Sequence, residues 1–255
     1  MSAPVFLAEG SGIDRLVAGD RYLLDGPEGR HAGVVQRRRP GEAVDVVDGA
    51  GARARCTIES VHESEVRLVV DEVVVEDAPW PALVLVQALA KGDRDEMAVE
   101  AATEVGADAV VPWQASRSIV VWRGDRAAKS RARWVATVRT AAKQSRRARL
   151  PRVEDSVTTT SLAARTRGVV AAGGTVLVLH ESAERPLAGA SLPAPGAEAE
   201  ILVVVGPEGG IAADELAELE AAGAQTVLLG PHVLRTSTAG PVALALLAQR
   251  LGRWG

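Results

Sequence analysis

Residues 201–240 read ILVVVGPEGGIAADELAELEAAGAQTVLLGPHVLRTSTAG, and this stretch decides the predicted fold. The run Ile201–Val205 is unbroken and mostly β-branched, which is typical of a strand buried on both faces of a parallel sheet. The adjacent Gly209 and Gly210 allow the next loop to turn tightly and to approach a ligand through its amide groups. The segment therefore predicts a buried strand that ends in a ligand-binding loop.

A second strand and loop follow the first. The pattern predicts a helix with Asp214 and Glu215 in its first turn and Gly223 just past its end. A short strand at Thr226–Gly230, a polar loop at Pro231–Thr238 and an apolar helix at Val242–Leu251 follow. Open α/β sheets bind their ligands in loops at the carboxyl ends of strands. We therefore expect both loops to contribute to one site.

The alternation of strands and helices extends upstream to about residue 83. Predicted strands lie at Leu83–Leu89, Ala109–Trp113, Ser118–Trp122 and Thr175–Glu181, and predicted helices at Asp95–Val105, Ala127–Ser145 and Thr160–Arg165. Such alternation favours an α/β domain with a mainly parallel sheet.

Residues 1 to about 75 have the pattern of a small all-β barrel. Val44–Val47 and Ala52–Glu59 flank a glycine-rich turn and predict a hairpin, and further β-prone runs follow at Val66–Val70 and Val73–Val75. The composition changes at Glu76–Pro81, so we predict two domains, residues 1–76 and 77–255.

Composition limits the class of protein. Hydrophobic residues make up 47% of the chain, which is enough for a core. The sequence has neither a secretory leader nor an apolar run of the ~20 residues that a membrane span needs, so we expect a cytoplasmic protein without membrane contact. Cys56 is the one cysteine, which excludes an internal disulfide and metal-binding cysteine pairs. We expect Cys56 to be a small buried hydrophobe and the protein to hold no metal.

Positive charge is concentrated locally although the net charge is −4. Residues 123–152 contain eleven Lys or Arg against the single acid Asp125, and Arg37–Arg39 form a second cluster. Local patches set the field that a polyanion meets. A charge run is usually a solvated face, but an imbalance of eleven to one is poorly explained by solubility, so contact with RNA is favoured.

Several common catalytic motifs are absent. The chain has no GxGxxG after a strand and no GxxxxGK[ST], HExxH or GxSxG, which removes the usual dinucleotide, P-loop, zincin and hydrolase classes. Three loops remain: LHE at 179–181, GPEGG at 206–210, and LGPHVLRTSTAG at 229–240. Taken alone, GPEGG also suits an ordinary strand-to-helix turn, but three loops at one sheet edge predict a pocket.

These loops resemble those of the RsmE-type methyltransferases of the SPOUT superfamily, which methylate N3 of a uridine in 16S ribosomal RNA. Lys91-Gly92-Asp93, Ala102–Gly106 and Ala142–Arg147 agree with the same family, and the resemblance covers nearly the whole chain. Two features depart from the family pattern. Ser237 stands where LRTETA has its glutamate, and Met1–Phe6 replaces the family's usual basic and aromatic N-terminal opening.

The resemblance implies a fold, a cofactor and partners. The fold is a SPOUT-type domain with a C-terminal trefoil knot, preceded by a PUA-like β-barrel, in a homodimer. The substrate is 16S rRNA, free or within the small ribosomal subunit. The cofactor is S-adenosylmethionine, expected at Leu179, His180, Gly206, Gly209, Gly210, Leu229, Gly230, Leu234, Thr236, Ser237, Thr238 and Ala239. The residues expected to contact RNA are Arg37, Arg38, Lys91, Arg139, Lys143, Arg146 and Arg147.

Arg235 and Glu208 are the candidate catalytic residues. Uridine N3 must lose its proton before it attacks a methyl group, so a base or a cation that stabilises the anion would lower the barrier. Arg235 offers a planar fork of donors to RNA phosphate or to a uracil oxygen. Glu208 suits cofactor orientation or proton removal, and equally a cap on the next helix. His180 suits the pocket wall, although a structural histidine is the more common case.

Two other functions remain open. The chain could be an RNA-binding module with a degenerate pocket, because a barrel and a basic helix suffice to bind RNA. It could also be a metabolic enzyme that binds phosphate at GPEGG, and RNA would then not compete for the site.

Overall fold

The computed structural model describes residues 3–8, 10 and 12–254, and the chain divides into two compact units. Unit 1 comprises Met1–Ala78 and Ala142–Leu150, and unit 2 comprises Pro79–Ala141 and Pro151–Gly255. The sequence division at residues 76 and 77 assigned 142–150 to the second domain, whereas these residues group with unit 1. Residues 1 and 255, the outer ends of the predicted domains, lie outside the described residues.

Unit 1 is built on a five-stranded sheet. Its strands are β1 (Val5–Leu7), β2 (Arg21–Leu24), β3 (Ala43–Val47), β4 (Ala52–His62) and β5 (Glu65–Val75), in the order β1-β3-β4-β5-β2. β1 pairs parallel with β3, and every other pair is antiparallel. The predicted hairpin is present as β3 and β4. Alternate residues of the strands point inward and bury a core that includes Phe6, Ile58 and Leu68.

The prediction of an all-β first domain is wrong, because a 3-10 helical turn lies at Ile13–Arg15 and a longer helical segment lies between β2 and β3. Helix α1 (Gly26–Arg30) and a π-helical turn (His31–Val35) lie between β2 and β3. Pro27 and Glu28 suit the first turn of a helix, because proline needs no amide partner there and a carboxylate favours the positive end. The segment buries Ala32 in the unit 1 core.

Unit 2 is a parallel α/β domain. Its elements are β6 (Ala82–Ala88), α2 (Arg94–Glu104), β7 (Ala109–Gln114), α3 (Asp125–Gln144, whose last residues group with unit 1), β8 (Arg152–Val153), β9 (Val157–Thr158), α4 (Thr159–Ala171), β10 (Thr175–Leu179), β11 (Glu200–Val205), α5 (Ala213–Ala221), β12 (Gln225–Val227) and α6 (Thr236–Arg250). The strand order is β12-β10-β11-β6-β7-β8, with β9 also on β7, and all pairs are parallel. The mainly parallel sheet is confirmed.

Two hydrophobic clusters cover the two faces of this sheet. Leu83 and Leu85 of β6 belong to one cluster, and Val84 and Val86 belong to the other. Side chains alternate between the faces of a strand, so a continuous apolar run is what burial on both faces requires. This arrangement explains the sequence pattern of β6, β10 and β11.

Some predicted element boundaries are wrong. Ser118–Trp122 forms no strand: Ile119 and Val121 are exposed, and the segment pairs with no strand among the described residues. Residues 236–238 form the first turn of α6 instead of a loop, and β12 ends at Val227 instead of Gly230. No helix in the described part of the chain is long and apolar enough to cross a membrane.

Candidate functional site

A cavity of about 530 Å³ lies in unit 2 at the carboxyl ends of β10, β11 and β12. This volume lies in the range of small-molecule sites, and the position is the one at which parallel sheets bind ligands. The cavity is lined by Arg94, Leu179, His180, Glu181, Val205, Gly206, Pro207, Glu208, Gly210, Ile211, Leu228, Leu229, Gly230, Pro231, His232, Val233, Leu234, Arg235, Thr236 and Ala239. The three loops singled out in the sequence therefore meet at one cavity.

Most of the residues expected to hold the cofactor lie on this wall. They are Leu179, His180, Gly206, Gly210, Leu229, Gly230, Leu234, Thr236 and Ala239, together with both candidate catalytic residues, Arg235 and Glu208. Gly209, Ser237 and Thr238 belong to the same segments but do not line the cavity. Ser237, which departs from the family pattern, thus lies off the wall.

Thr236 anchors the loop after β11 to the start of α6. Its Oγ1 donates a hydrogen bond to the carbonyl oxygen of Gly206 at 2.7 Å and accepts one from Nε2 of Gln87 at 2.9 Å. Gln87 is fully buried, and its Oε1 has no partner among the described residues. The hydroxyl of Thr236 therefore holds three segments together beneath the cavity.

Glu208 is tied to the loop after β6. Its Oε1 accepts hydrogen bonds from Nη1 of Arg94 at 2.6 Å and from the backbone N–H of Lys91 at 3.2 Å. Burial acts to raise the pKa of Glu208, but hydrogen bonds from its own amide, Arg94 and Lys91 outweigh burial, so the pKa lies below its ordinary value. The hydrogen bonds therefore favour the ionised form of the Glu208 side chain.

The alternative role of Glu208 as a helix cap is wrong. The carboxylate that serves the start of α5 is that of Glu215, whose Oε2 accepts from the amide of Ala212 at 3.3 Å. Glu208 lies too early in the loop for this role and points to Arg94 instead.

Glu215 also joins two other strand ends. Its buried carboxylate accepts from the amide and hydroxyl of Ser116, each at 2.8 Å, and from Oγ1 of Thr159 at 2.5 Å. The neighbouring Arg117 donates from Nη1 to the carbonyl oxygen of Gly209 at 3.0 Å. These contacts hold the loop after β7 against GPEGG.

Arg235 and His180 differ in how firmly they are held. The Arg235 side chain makes no ion pair or hydrogen bond within the described ranges and is exposed at the cavity. Nδ1 of His180 accepts a hydrogen bond from the amide of Ser182 at 3.2 Å, which requires that Nδ1 carry no proton. His180 therefore has a structural contact and also lines the cavity.

The residues expected to contact RNA fall into two groups. Arg37, Lys91, Arg139 and Arg146 are exposed. Lys143 is already paired within unit 1 and is therefore less free to contact RNA than expected. Its Nζ donates to both carboxylate oxygens of Glu28 at 2.7 and 2.8 Å and lies over the ring of Phe6. Arg38 is half-buried and bonded to Gln36 and Glu42, and Arg147 is also half-buried.

The one cysteine lies in an environment that disfavours its thiolate. Cys56 is buried, and desolvation, followed by the charges of Asp71 and Asp45, raises its pKa to about 12. Such a thiol stays protonated at neutral pH and is a poor nucleophile. Within the described residues, no group of three or more His, Cys, Asp or Glu is arranged to hold a metal ion.

Sequence reasoning missed Arg94 and Gln87. Arg94 follows the Lys91-Gly92-Asp93 segment at the carboxyl end of β6, beside β11 in the sheet. That position could have identified Arg94 from the sequence, because the loops at the carboxyl ends of parallel strands lie at the same edge of the sheet. Gln87 is a polar residue inside an otherwise apolar strand, and such a residue needs a hydrogen-bond partner when buried.

The fold and the cavity place this chain among α/β proteins whose ligand site lies at the carboxyl edge of a parallel sheet. Residues 77–248 match the family model of an RNA methyltransferase domain, and residues 24–71 match that of an RNA methyltransferase PUA domain.

Relatives agree over most of the chain. The ribosomal RNA small subunit methyltransferase E of Mycobacterium tuberculosis is 47% identical over 91% of this chain and 87% of the relative, and that of Bacillus subtilis is 32% identical over 89% of each. Two solved structures are similar over 98% of each chain, with TM-scores of 0.83. One is a methyltransferase from Legionella pneumophila with bound SAM, at 25% identity. The other is the ribosomal RNA small subunit methyltransferase E of Neisseria gonorrhoeae with bound S-adenosylmethionine, at 26% identity. The chain belongs to the RNA methyltransferase family, within the group of ribosomal RNA small subunit methyltransferases E.

Proposed function

We propose that this protein transfers a methyl group from S-adenosylmethionine to N3 of a uridine in the 16S rRNA of the small ribosomal subunit. The observation that carries the proposal is the convergence of three family-type loops on one cavity of about 530 Å³. We propose that the protein works in the cytoplasm, because its proposed substrate is ribosomal RNA. The E-type relatives that it matches over most of their length support the substrate.

The cavity suits S-adenosylmethionine in size and chemistry. Leu179, Leu229, Ile211 and Val205 offer an apolar wall for an adenine ring. The loops around Gly206, Gly210 and Gly230 leave backbone groups close to the ligand space, where they can donate to and accept from the nucleoside. The cofactor supplies an activated methyl group, and the residues of the chain bind it and orient the uridine.

We assign separate roles to the two candidate catalytic residues. Arg235 lines the cavity, its guanidinium has no hydrogen bond or ion pair with the described residues, and it suits an RNA phosphate or a uracil oxygen. Glu208 has a lowered pKa and is already bound to Arg94, so it is a weak base and a better positioning residue.

We further propose that the domains divide the work. The PUA-like unit 1 and the exposed arginines Arg37, Arg139 and Arg146 bind RNA, and unit 2 carries out methyl transfer, with α6 in a trefoil knot. A Cβ at Gly240 of α6 would come within 2.7 Å of Cδ1 of Leu85, so this helix lies tightly on the sheet, as a threaded helix would.

A homodimer is part of the proposal. Helices α2 and α6 of unit 2 expose Met97, Val242 and Leu246, the last two one turn apart on α6. An apolar surface of this kind is costly to leave in water and suits a second copy of the chain. Replacing Leu246 with Asp should give a monomer in light scattering, whereas an unchanged dimer would place the interface elsewhere.

Gly230→Val tests the cofactor site directly. A Cβ at Gly230 would meet no atom within 4 Å, so the variant should fold while its side chain occupies the cavity wall. Gly168→Val on α4 is the control, because that glycine is equally unobstructed and lies away from the cavity. In calorimetric titration with S-adenosylmethionine we expect binding by the wild type and Gly168→Val, and its loss in Gly230→Val. Absence of binding to the wild type, with or without RNA, would favour an RNA-binding module instead.

A further inference from the structure

We propose that Arg94 is a catalytic residue that stabilises the negative charge of the uracil ring, and that Glu208 is the positioning residue that holds its guanidinium in place. The inference rests on the proposed function and concerns the substrate side of the same cavity. It assigns a role to a residue that the sequence pattern did not single out.

The position of Arg94 is the first support. It begins α2, directly after the loop that follows β6, and it lines the cavity. Among the described lining residues only Arg94 and Arg235 carry a permanent positive charge. Among the described residues of this wall, these two are therefore the candidates for a cation that acts on the ring.

The difference in anchoring separates these two arginines. Nη1 of Arg94 lies 2.6 Å from Oε1 of Glu208, and the same oxygen accepts from the amide of Lys91 at 3.2 Å. Glu208 thus binds both the side chain and the loop that carries it. Arg235 has no such contact among the described residues. Charge stabilisation is most effective when the donor is held in place before the reaction, which favours Arg94 for the ring and Arg235 for the flexible RNA backbone.

The chemistry needs a donor at this point. The N3–H bond of uridine breaks, the proton passes to a water molecule, and the electron pair stays on the ring, spread over N3, O2 and O4. A guanidinium has five N–H donors in a planar fork, so Arg94 keeps several for a uracil oxygen after Nη1 has bonded to Glu208. A donor that stabilises the anion lowers the pKa of N3 and makes the reactive form available at neutral pH.

Glu208 can hold this position throughout the reaction. Its side chain is 28% exposed and that of Arg94 is 48% exposed, so the pair is reached by solvent yet joined by a short contact. The pKa of Glu208 lies below its ordinary value, because the hydrogen bonds to the carboxylate outweigh its burial, so the group is charged at neutral pH. The pair therefore does not break by protonation while N3 is titrated.

The test is the pH dependence of single-turnover methylation of small ribosomal subunits at saturating cofactor and substrate. Removing one donor of this kind typically lowers the rate by about 10²–10³. We expect Arg94→Gln to lower the rate about 100-fold at pH 7. The pH at which the rate levels off should rise by about 2 units, because without the guanidinium the pKa of N3 rises by that amount and less of the uridine is ionised at pH 7. Arg94→Lys should restore part of the rate, and Glu208→Gln should lower it about tenfold, in line with the weaker hydrogen bond of a neutral acceptor.

Controls separate this role from binding and folding. Arg21→Gln removes a comparable exposed Arg–Glu pair of unit 1, at 3.0 Å from Glu59, and should leave the pH profile unchanged. The affinities of Arg94→Gln for S-adenosylmethionine and for RNA should stay within about threefold of wild type, since Arg94 is assigned to the transition state. A reduced rate with an unshifted profile, or a loss of cofactor affinity that accounts for the whole effect, would overturn the assignment. Failure of the wild type to methylate any uridine would instead overturn the proposed function itself.

Discussion

Thr236→Val is the substitution whose effect can be worked out most fully. Valine has nearly the shape of threonine, so the change replaces the hydroxyl with a methyl group and leaves the rest of the side chain as it was. That hydroxyl donates to the carbonyl oxygen of Gly206 at 2.7 Å and accepts from Nε2 of Gln87 at 2.9 Å, in a site where Thr236 is 7% exposed. After the change Gly206 loses this donor, and Nε2 of Gln87 keeps only the carbonyl of Ala88 at 3.2 Å.

The magnitude follows from the cost of unpaired buried groups. Each such group costs about 1–3 kcal/mol, and Gln87 already has one unpaired oxygen. We therefore expect the free energy of unfolding to fall by about 2–3 kcal/mol, or about 4–12 °C in Tm for a chain of this size. The affinity for S-adenosylmethionine should fall as well, because Gly206 and Thr236 both lie on the cavity wall.

Two variants make the experiment decisive. Thr236→Ser keeps the hydroxyl and should recover most of the stability and affinity. Thr160→Val makes the same change at an exposed position of α4 and should alter the free energy of unfolding by less than about 0.5 kcal/mol. Chemical denaturation and calorimetric titration provide the measurements. If Thr236→Val is as stable as Thr160→Val, the hydroxyl does not anchor the cavity and the reasoning is refuted.

Three further predictions concern stability, RNA and the thiol. Burial, opposed by backbone hydrogen bonds, raises the pKa of Asp95 to about 6 from 3.8, so the native state binds a proton that the unfolded state has lost, and stability falls as pH rises from about 4 to 6. Asp95→Asn should therefore stabilise the protein by about 2–3 kcal/mol at pH 8 and hardly at all at pH 4 in denaturation at both pH values, and an equal gain at both would contradict the burial argument. Arg139→Gln with Arg146→Asn should weaken RNA binding and lower the salt slope by about 2, whereas Arg167→Gln on α4 should not; equal slopes for the two would remove these residues from the RNA surface. Asparagine is chosen at position 146 because φ is 59° there, a conformation that asparagine tolerates better than alanine. Cys56 should react with a thiol reagent only on unfolding, and rapid labelling of the native protein would show that it is accessible.

The sheet and its loops could be predicted because the signals are local. The apolar runs of β6, β10 and β11 each contain the whole evidence for burial on both faces, and the glycines of the loop at 206–210 mark where β11 ends. The strand predicted at Ser118–Trp122 was wrong because that signal is local as well. β-prone residues form a strand only where a neighbouring strand can pair with them.

The contacts that organise the site could not be predicted, because they join distant residues. Glu208 binds Arg94 114 residues away in the sequence, and Lys143 binds Glu28 115 residues away. Glu215 binds Ser116 and Thr159, at separations of 99 and 56 residues. Nothing in the sequence around a lysine of a basic run indicates that it will form an ion pair with a distant, buried glutamate. The same limit applies to a knot, whose threading leaves no local pattern.

The most direct test of the account is methyl transfer to RNA. Small ribosomal subunits from cells that lack the family enzyme would be incubated with the protein and S-adenosylmethionine, and the 16S rRNA digested and analysed by mass spectrometry. We expect one added methyl group, on N3 of a uridine, with the wild type and Gly168→Val and none with Gly230→Val. A wild-type protein that binds S-adenosylmethionine but leaves 16S rRNA unmethylated, or methylates a different position, would contradict the account.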